Sequence, residues 1–487
     1  MKLHALARAL LHVSFGALMA FPSMAVSAGA QGSEPLVIGE TFQIESKVLA
    51  ETRTYVVQTP DYYKKRMEAY PVLVLLDAEN SFAYASAAVH LLSADERIPA
   101  MIVVGINNTN RFRDMTPPNP AGGMPSTREV GGADKFLSFI ADELLPTVDR
   151  NYRTRPYRVL IGHSRAGLFA AYALLNRPEV FKGYLMSSPA LGWDNEALIK
   201  AAQSFFAAHK DLRADLYISM ANEVDAMLGD AGKLSTVLEE SNLPNLRWRF
   251  KRYPEEDHGT VPYISTYDGL QAIFAGFSIA NPIVLFEEGG LPAYQRHYVD
   301  VSKRLGYIVP VPARAYGDTL SDLLNRGRFA EAEEVGQKML ELDPKNTWAL
   351  FTLADVAAKQ NDDAKAIGYL TQVLKLYPGN TEARAVLAKY QVDVDKIVPS
   401  VEFTAKSVAP YVGTYHFQNE ITNVAFQNGK LMAYSSFGKC ELRALTLFKF
   451  YCVDVEVELR FNQDNRGRVT GVTEEWDDHN EEFRKVK

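Results

Sequence analysis

Cysteine is nearly absent from this chain, with two residues in 487. So few thiols exclude a disulfide framework and a thiolate metal cluster. Basic charge is not in excess either: 52 lysines and arginines face 59 acids, a net charge of −7. That balance offers no electrostatic footprint for nucleic acid or an anionic membrane. Beyond the first thirty residues no stretch approaches 18 unbroken apolar residues, the minimum for a spanning helix. What remains is an ordinary globular composition, 47% hydrophobic and 23% charged. At about 150 residues per domain, the length implies roughly three domains.

Residues 1–30 differ from the rest. Lys2 and Arg8 precede an apolar run from Leu10 to Val26, which closes on Ser27-Ala28-Gly29-Ala30. This is the pattern of a signal peptide, with cleavage expected after Ala30 and Val26-x-Ala28 as the alternative site. His12 and Pro22 interrupt the run, which argues against a membrane anchor. The expected location is therefore outside the cytoplasm, periplasmic or secreted, with no membrane span once the leader is removed.

Residues 34–280 alternate short apolar runs with helical stretches. Val72–Leu76, Met101–Val104, Val159–Ile161 and Leu216–Met220 read as buried strands, and Phe136–Leu145 and Leu168–Leu175 as helices. Continuous apolar strands between helices predict a mostly parallel, doubly wound α/β sheet. A linker is expected over 281–314. Residues 315–395 contain a repeat: at a shift of 34, residues 330–354 match 364–388 at ten of 25 positions. Leu340/Leu374, Pro344/Pro378, Asn346/Asn380 and Ala349/Ala383 are among the pairs. The period resembles the tetratricopeptide repeat, whose solenoids can present a peptide-binding surface. Residues 400–487 predict a small antiparallel β domain, its clearest strand being Val453–Phe461. Cys440 and Cys452 both fall there, free or bridged.

The strongest chemical signal is Gly162-His163-Ser164-Arg165-Ala166-Gly167, directly after a strand-like run and before a good helix former. This is the order of a nucleophile elbow, with Ser164 as nucleophile. Small residues are needed at 162 and 166 because a bulky neighbour would clash across the sharp turn. Chain order then asks for an acid and a histidine further on. Of nine histidines, only His209, His258 and His297 lie beyond Ser164 and near the α/β region. His258 follows the strand-like Trp248–Tyr253 on a short loop, the position expected of a general base. The acid is expected in Ala221–Asp225, at Glu223 in preference to Asp225, or is missing in a Ser–His dyad. The backbone N–H groups of Arg165 and Glu79 are the expected oxyanion hole.

The runs GHSRAGLFAAYALLNRPEVFKGYLMSSPAL, VGINNTNRFRDMTP and DHGTVPYISTYDGL, within residues 36–280, resemble the Esterase family of α/β-hydrolases. That family includes the enterochelin esterases and salmochelin trilactone hydrolases. The resemblance implies an α/β-hydrolase fold with Ser164 as nucleophile and His258 as base, and family members with a tetratricopeptide extension agree with the domain order. Arg165 and Ala166 depart from the usual hydrophobic–glycine pair. The expected function is an exported serine esterase acting on a small-molecule ester, with no metal or cofactor required. Arg111, Arg113 and residues 116–132 are expected at the substrate rim. Two other readings are a siderophore trilactone hydrolase and an inactive hydrolase-fold scaffold that binds a protein or peptide partner through its repeats.

Overall fold

The computed structural model describes residues 37–486, apart from 62, 65, 119–127, 224, 399–400, 402, 418–419, 436–437, 454, 456 and 476–479. The leader expected over residues 1–30 lies outside the described residues. The elements below belong to one compact unit, Gly39–Lys487.

Eight strands form the first sheet: β1 (Glu40–Ser46), β2 (Glu51–Gln58), β3 (Tyr70–Leu75), β4 (Ile102–Ile106), β5 (Thr154–His163), β6 (Gly183–Ser187), β7 (Ala214–Met220) and β8 (Leu246–Arg252). Their spatial order is β1-β2-β4-β3-β5-β6-β7-β8, antiparallel only at the β1–β2 and β2–β4 pairs. The helices are α1 (Ala78–Ala94), α2 (Arg111–Met115), α3 (Ala133–Ser138), α4 (Leu145–Asn151), α5 (Arg165–Asn176), α6 (Trp193–Ala208), α7 (Asp225–Ser241) and α8 (Val261–Ile273). The period-two alternation of the strands sorts the core. Val72, Val74 and Leu160 face a cluster with α5, α6 and α7, while Leu73, Leu75 and Ile161 face one with α1 and α8. Both faces are covered, which is why these strands read as unbroken apolar runs. The predicted helix over Phe136–Leu145 is present, but Phe139–Leu144 widens into a π-helical turn between α3 and α4.

The expected linker over 281–314 is mostly helix. Here α9 (Pro282–Leu305) breaks its regular geometry at Gly289–Gly290. Tyr298, Val301 and Leu305 of α9 join the α1/α8 core, and Phe286 and Tyr294 join the next cluster. A segment that buries side chains on two bodies is a wedge and cannot behave as a free tether. The repeats follow as α10 (Ala313–Asn325), α11 (Phe329–Leu342), α12 (Thr347–Lys359), α13 (Asp363–Leu376) and α14 (Thr381–Lys389). The repeat-matched asparagines perform the same task. Asn346 accepts from Ala349 N–H at 2.9 Å and Asn380 from Ala383 N–H at 2.8 Å, each capping a helix.

The last region is an antiparallel closed barrel of β9 (Gly413–Phe417), β10 (Glu420–Gln427), β11 (Lys430–Ser435), β12 (Gly438–Ala444), β13 (Lys449–Cys452), β14 (Glu458–Gln463), β15 (Val469–Glu475) and β16 (Asn480–Lys485). Closure removes the exposed edges of an open sheet. The predicted strand Val453–Phe461 is corrected: β14 begins at Glu458, because Tyr451 pairs with Glu458 and the chain reverses between them. The alternating valines therefore straddle a hairpin. Cys440 and Cys452 form a disulfide between β12 and β13. Among the described residues, no helix is long and apolar enough to cross a membrane.

Candidate active site

At the end of β5 the chain must reverse into α5 within one residue. Ser164 makes that turn at φ 58°, ψ −114°, a conformation that costs energy for any residue with a Cβ. Its neighbours hold it there. Ser164 N–H donates to Ser187 C=O at 2.8 Å, and Ser164 C=O accepts from Leu168 and Ala190 N–H, each at 3.0 Å. A Cβ at Gly162 would lie 2.2 Å from the carbonyl oxygen of Ala166, so only glycine fits. The strand–turn–helix geometry expected of the motif is thus present, with Ser164 at its strained apex.

His258 and Glu223 come from the ends of neighbouring parallel strands. The β8 loop is stapled by Asp257, whose carboxylate accepts from Gly259 N–H at 2.8 Å and Thr260 N–H at 2.9 Å. Those amides, Thr260's first, hold the Asp257 carboxyl below its ordinary range. Asn222 N–H donates to Glu256 C=O at 2.8 Å, joining the β7 loop to the β8 loop. Glu223 Oε1 meets His258 Nδ1 in a short contact. The Glu223 side chain is 5% exposed and the His258 side chain 42%. One ring nitrogen is therefore held by a buried carboxylate while the ring stays open to solvent. Glu223 Oε2 has no partner among the described residues. The alternative acid, Asp225, opens α7. Of the other two histidines considered, His209 stacks on Phe205 with ring centroids 4.0 Å apart. His297 lies within α9.

Sequence reasoning missed a residue in plain sight, His163. Its ring lies against that of His258, centroids 4.5 Å apart and planes inclined by 47°. Burial, reinforced by His258, pushes its pKa down from 6.5 to about 4. His163 is therefore neutral across the range in which most imidazoles titrate. Its position directly before the serine, where it must share the elbow's surroundings, was the available signal.

Glu79, expected to supply an oxyanion amide, is the second residue of α1. The first amides of a helix have no intrahelical acceptor, which leaves those of Ala78 and Glu79 available to a ligand. The turn before them is set by Asp77, at φ 55°. Arg111 grips the Asp77 carboxylate with two bonds of 2.6 and 2.8 Å, and Asn108 Nδ2 donates to it at 2.7 Å. Arg111 also donates to His163 C=O at 3.3 Å, linking the β3 turn to the serine elbow.

Of the two arginines expected at the substrate rim, Arg111 lines the cleft at the elbow with Asp77, Gly162, His163 and Gly259, while Arg113 is taken up by partners within the fold. Arg113 donates to Glu51 at 3.0 and 2.6 Å and to Asp114 at 2.7 Å. Asp114 in turn pairs with the fully buried Arg53 at 2.5 Å. Arg53 and Arg113 are committed to intramolecular partners that fix α2. Of the rim segment 116–132, residues 119–127 lie outside the described residues. Arg165, whose N–H was the other expected oxyanion donor, is the first residue of α5. Its guanidinium lies 3.9 Å from the centroid of the Phe112 ring.

Comparison with known proteins places these residues in context. Residues 46–278 match the Esterase family, described as "Putative esterase", and residues 323–390 match a tetratricopeptide repeat family. The ferri-bacillibactin esterase BesA of Bacillus subtilis is 31% identical over 216 residues, covering 39% of this chain and 74% of that protein. The siderophore enterobactin esterase of Emericella nidulans is 36% identical over 116 residues, covering 22% of this chain and 38% of that protein. Among solved structures, an IroE-like serine hydrolase from Shewanella oneidensis superposes with a TM-score of 0.53 at 27% identity, covering 62% of this chain and 99% of that one.

Proposed function

Because the chain belongs to the Esterase family of α/β-hydrolases and is a hydrolase acting on esters, we propose that it works as a serine esterase through Ser164, His258 and Glu223. The observation that carries this reading is the pairing of buried Glu223 with His258, whose ring packs on His163, the residue directly before the strained Ser164. His258 takes the Ser164 hydroxyl proton as the oxygen attacks the ester carbonyl. Glu223 holds the imidazole in one tautomer and stabilises its charged form. The amides of Glu79 and Arg165 receive the developing oxyanion, aided by the positive end of α5. His258 then gives its proton to the leaving alkoxide. In the second half, it draws a proton from the water that attacks the acyl-enzyme and returns that proton to the departing Ser164 oxygen, which frees the acid and restores the serine hydroxyl.

The expected leader supports export, and the Cys440–Cys452 disulfide favours an oxidising compartment. An exported mature chain beginning at Gln31 is the outcome expected from its intact mass. A fluorophosphonate probe tests the chemistry: labelling at Ser164, abolished in Ser164→Ala together with ester hydrolysis, is expected. Unlabelled wild-type protein would favour the inactive scaffold, with the repeats as a protein- or peptide-binding surface. The names of the relatives favour a second substrate reading, a siderophore trilactone. A higher kcat/KM for such a trilactone than for simple p-nitrophenyl esters would establish it.

A further inference from the structure

The residue after the proposed nucleophile is a cation with no anion paired to it among the described residues. Arg165 is half-buried, and among the described residues its guanidinium has neither an ion pair nor a hydrogen bond. What holds Arg165 is a ring: Phe112 receives it at 3.9 Å, and Arg128 lies 4.0 Å from the same ring. The ring stands on a fixed base. Phe112 belongs to α2, whose Asn110 cap accepts from Arg113 N–H at 3.2 Å and whose Asp114 is locked to buried Arg53.

Arg165 sits among other charges. Burial, and then the charges of Arg111 and Arg128, depress the pKa of Arg165, while Asp77 is the carboxylate opposing them. That carboxylate is already gripped by both donors of Arg111. A half-buried guanidinium without a counter-ion, next in the chain to a nucleophile, costs electrostatic free energy unless an anion meets it during turnover. A guanidinium offers a planar fork that fits a carboxylate with two parallel bonds.

Resting on the serine-esterase reading above, we propose that Arg165, held on Phe112 directly after Ser164, is an anion subsite for the substrate. The preferred substrates are esters that carry a carboxylate within its reach. The carboxylate could come from either half of the ester, so the test has two arms. In the acyl arm, p-nitrophenyl hemisuccinate is compared with neutral p-nitrophenyl pentanoate. In the alcohol arm, p-acetoxybenzoate is compared with p-acetoxybenzamide.

In at least one arm the wild type should favour the anionic ester by about tenfold or more in kcat/KM, a preference that weakens with added salt. The ratio of anionic to neutral kcat/KM should fall about 10- to 100-fold in Arg165→Met, whatever loss is common to both esters. Arg165→Lys, which keeps the charge, should retain part of the preference. No preference in either arm, or an equal loss of both esters in Arg165→Met, would overturn the proposal. Failure of the underlying reading looks different. Both esters would then be hydrolysed undiminished by Ser164→Ala, or the wild type would take no fluorophosphonate and hydrolyse neither.

Discussion

Asn222 donates its backbone N–H to the carbonyl of Glu256 at 2.8 Å, and this bond ties together the two loops that carry Glu223 and His258. It continues the β7–β8 pairing beyond the strand ends, where Tyr253 N–H also reaches Met220 C=O at 2.8 Å. The acid and the base are thus registered by backbone geometry before their side chains meet.

The contact supports Glu223 as the acid of the proposed triad. Glu223→Gln is expected to lower kcat by about 10³- to 10⁴-fold, as when an orienting carboxylate becomes an amide that favours the wrong tautomer. Asp225→Asn is expected to stay within about threefold of wild type. Steady-state kinetics on one p-nitrophenyl ester decide between them, and equal losses would dismiss the assignment.

The elbow tolerates no side chain at its first glycine. Gly162→Ala places a Cβ 2.2 Å from the Ala166 carbonyl oxygen and should cost about 3 kcal/mol or more. Gly229, inside α7, is open: a Cβ added there would have nothing within 4 Å. Gly229→Ala is expected to stabilise by about 0.5–1 kcal/mol. Urea unfolding of both variants should move in opposite directions.

Stability should fall with acid in a window that His163 defines. Its pKa is depressed from 6.5 to about 4 in the folded protein, so the unfolded chain binds a proton first as pH drops. The contribution is complete above about 6.5 and is lost progressively down to about 4, reaching about 3 kcal/mol. Replacing His163 by Gln removes the titration. Thermal melts between those pH values should then show a shallower decline than wild type, and parallel curves would contradict the argument.

The disulfide closes a short loop, with Cys440 and Cys452 separated by 12 residues. Chain-entropy reasoning gives about 3 kcal/mol for a loop of this size. Calorimetry of Cys440→Ser/Cys452→Ser should show the barrel unfolding at lower temperature, with Ser164 still labelled by fluorophosphonate. A coincident loss of labelling would mean that barrel and catalytic layer unfold as one.

Local features were legible in the sequence. The Ser164 elbow needs only a strand, a turn and a helix in succession, so adjacent residues encode it. The repeat was legible because its caps recur, with Asn346 and Asn380 doing the same work 34 residues apart. The partners of Arg113 were not legible because a sequence displays a charge without them, and Glu51 is 62 positions away. The valine alternation at 453–461 was misread because period two survives a hairpin, although the pairing direction reverses within it.

The sequence by itself determined the kinds of element and the chemistry available: apolar strands covered on both faces, a serine flanked by small residues, a later histidine and acid, and a duplicated helical pair. Tertiary structure alone decided the pairings. It bound Arg111 to Asp77, spent Arg113 on Glu51, set Glu223 on His258 and left Arg165 facing a ring instead of a carboxylate. The reason is physical: strand and turn formation depend on neighbours along the chain, whereas ion pairing depends on distances of a few ångströms that folding creates between remote residues.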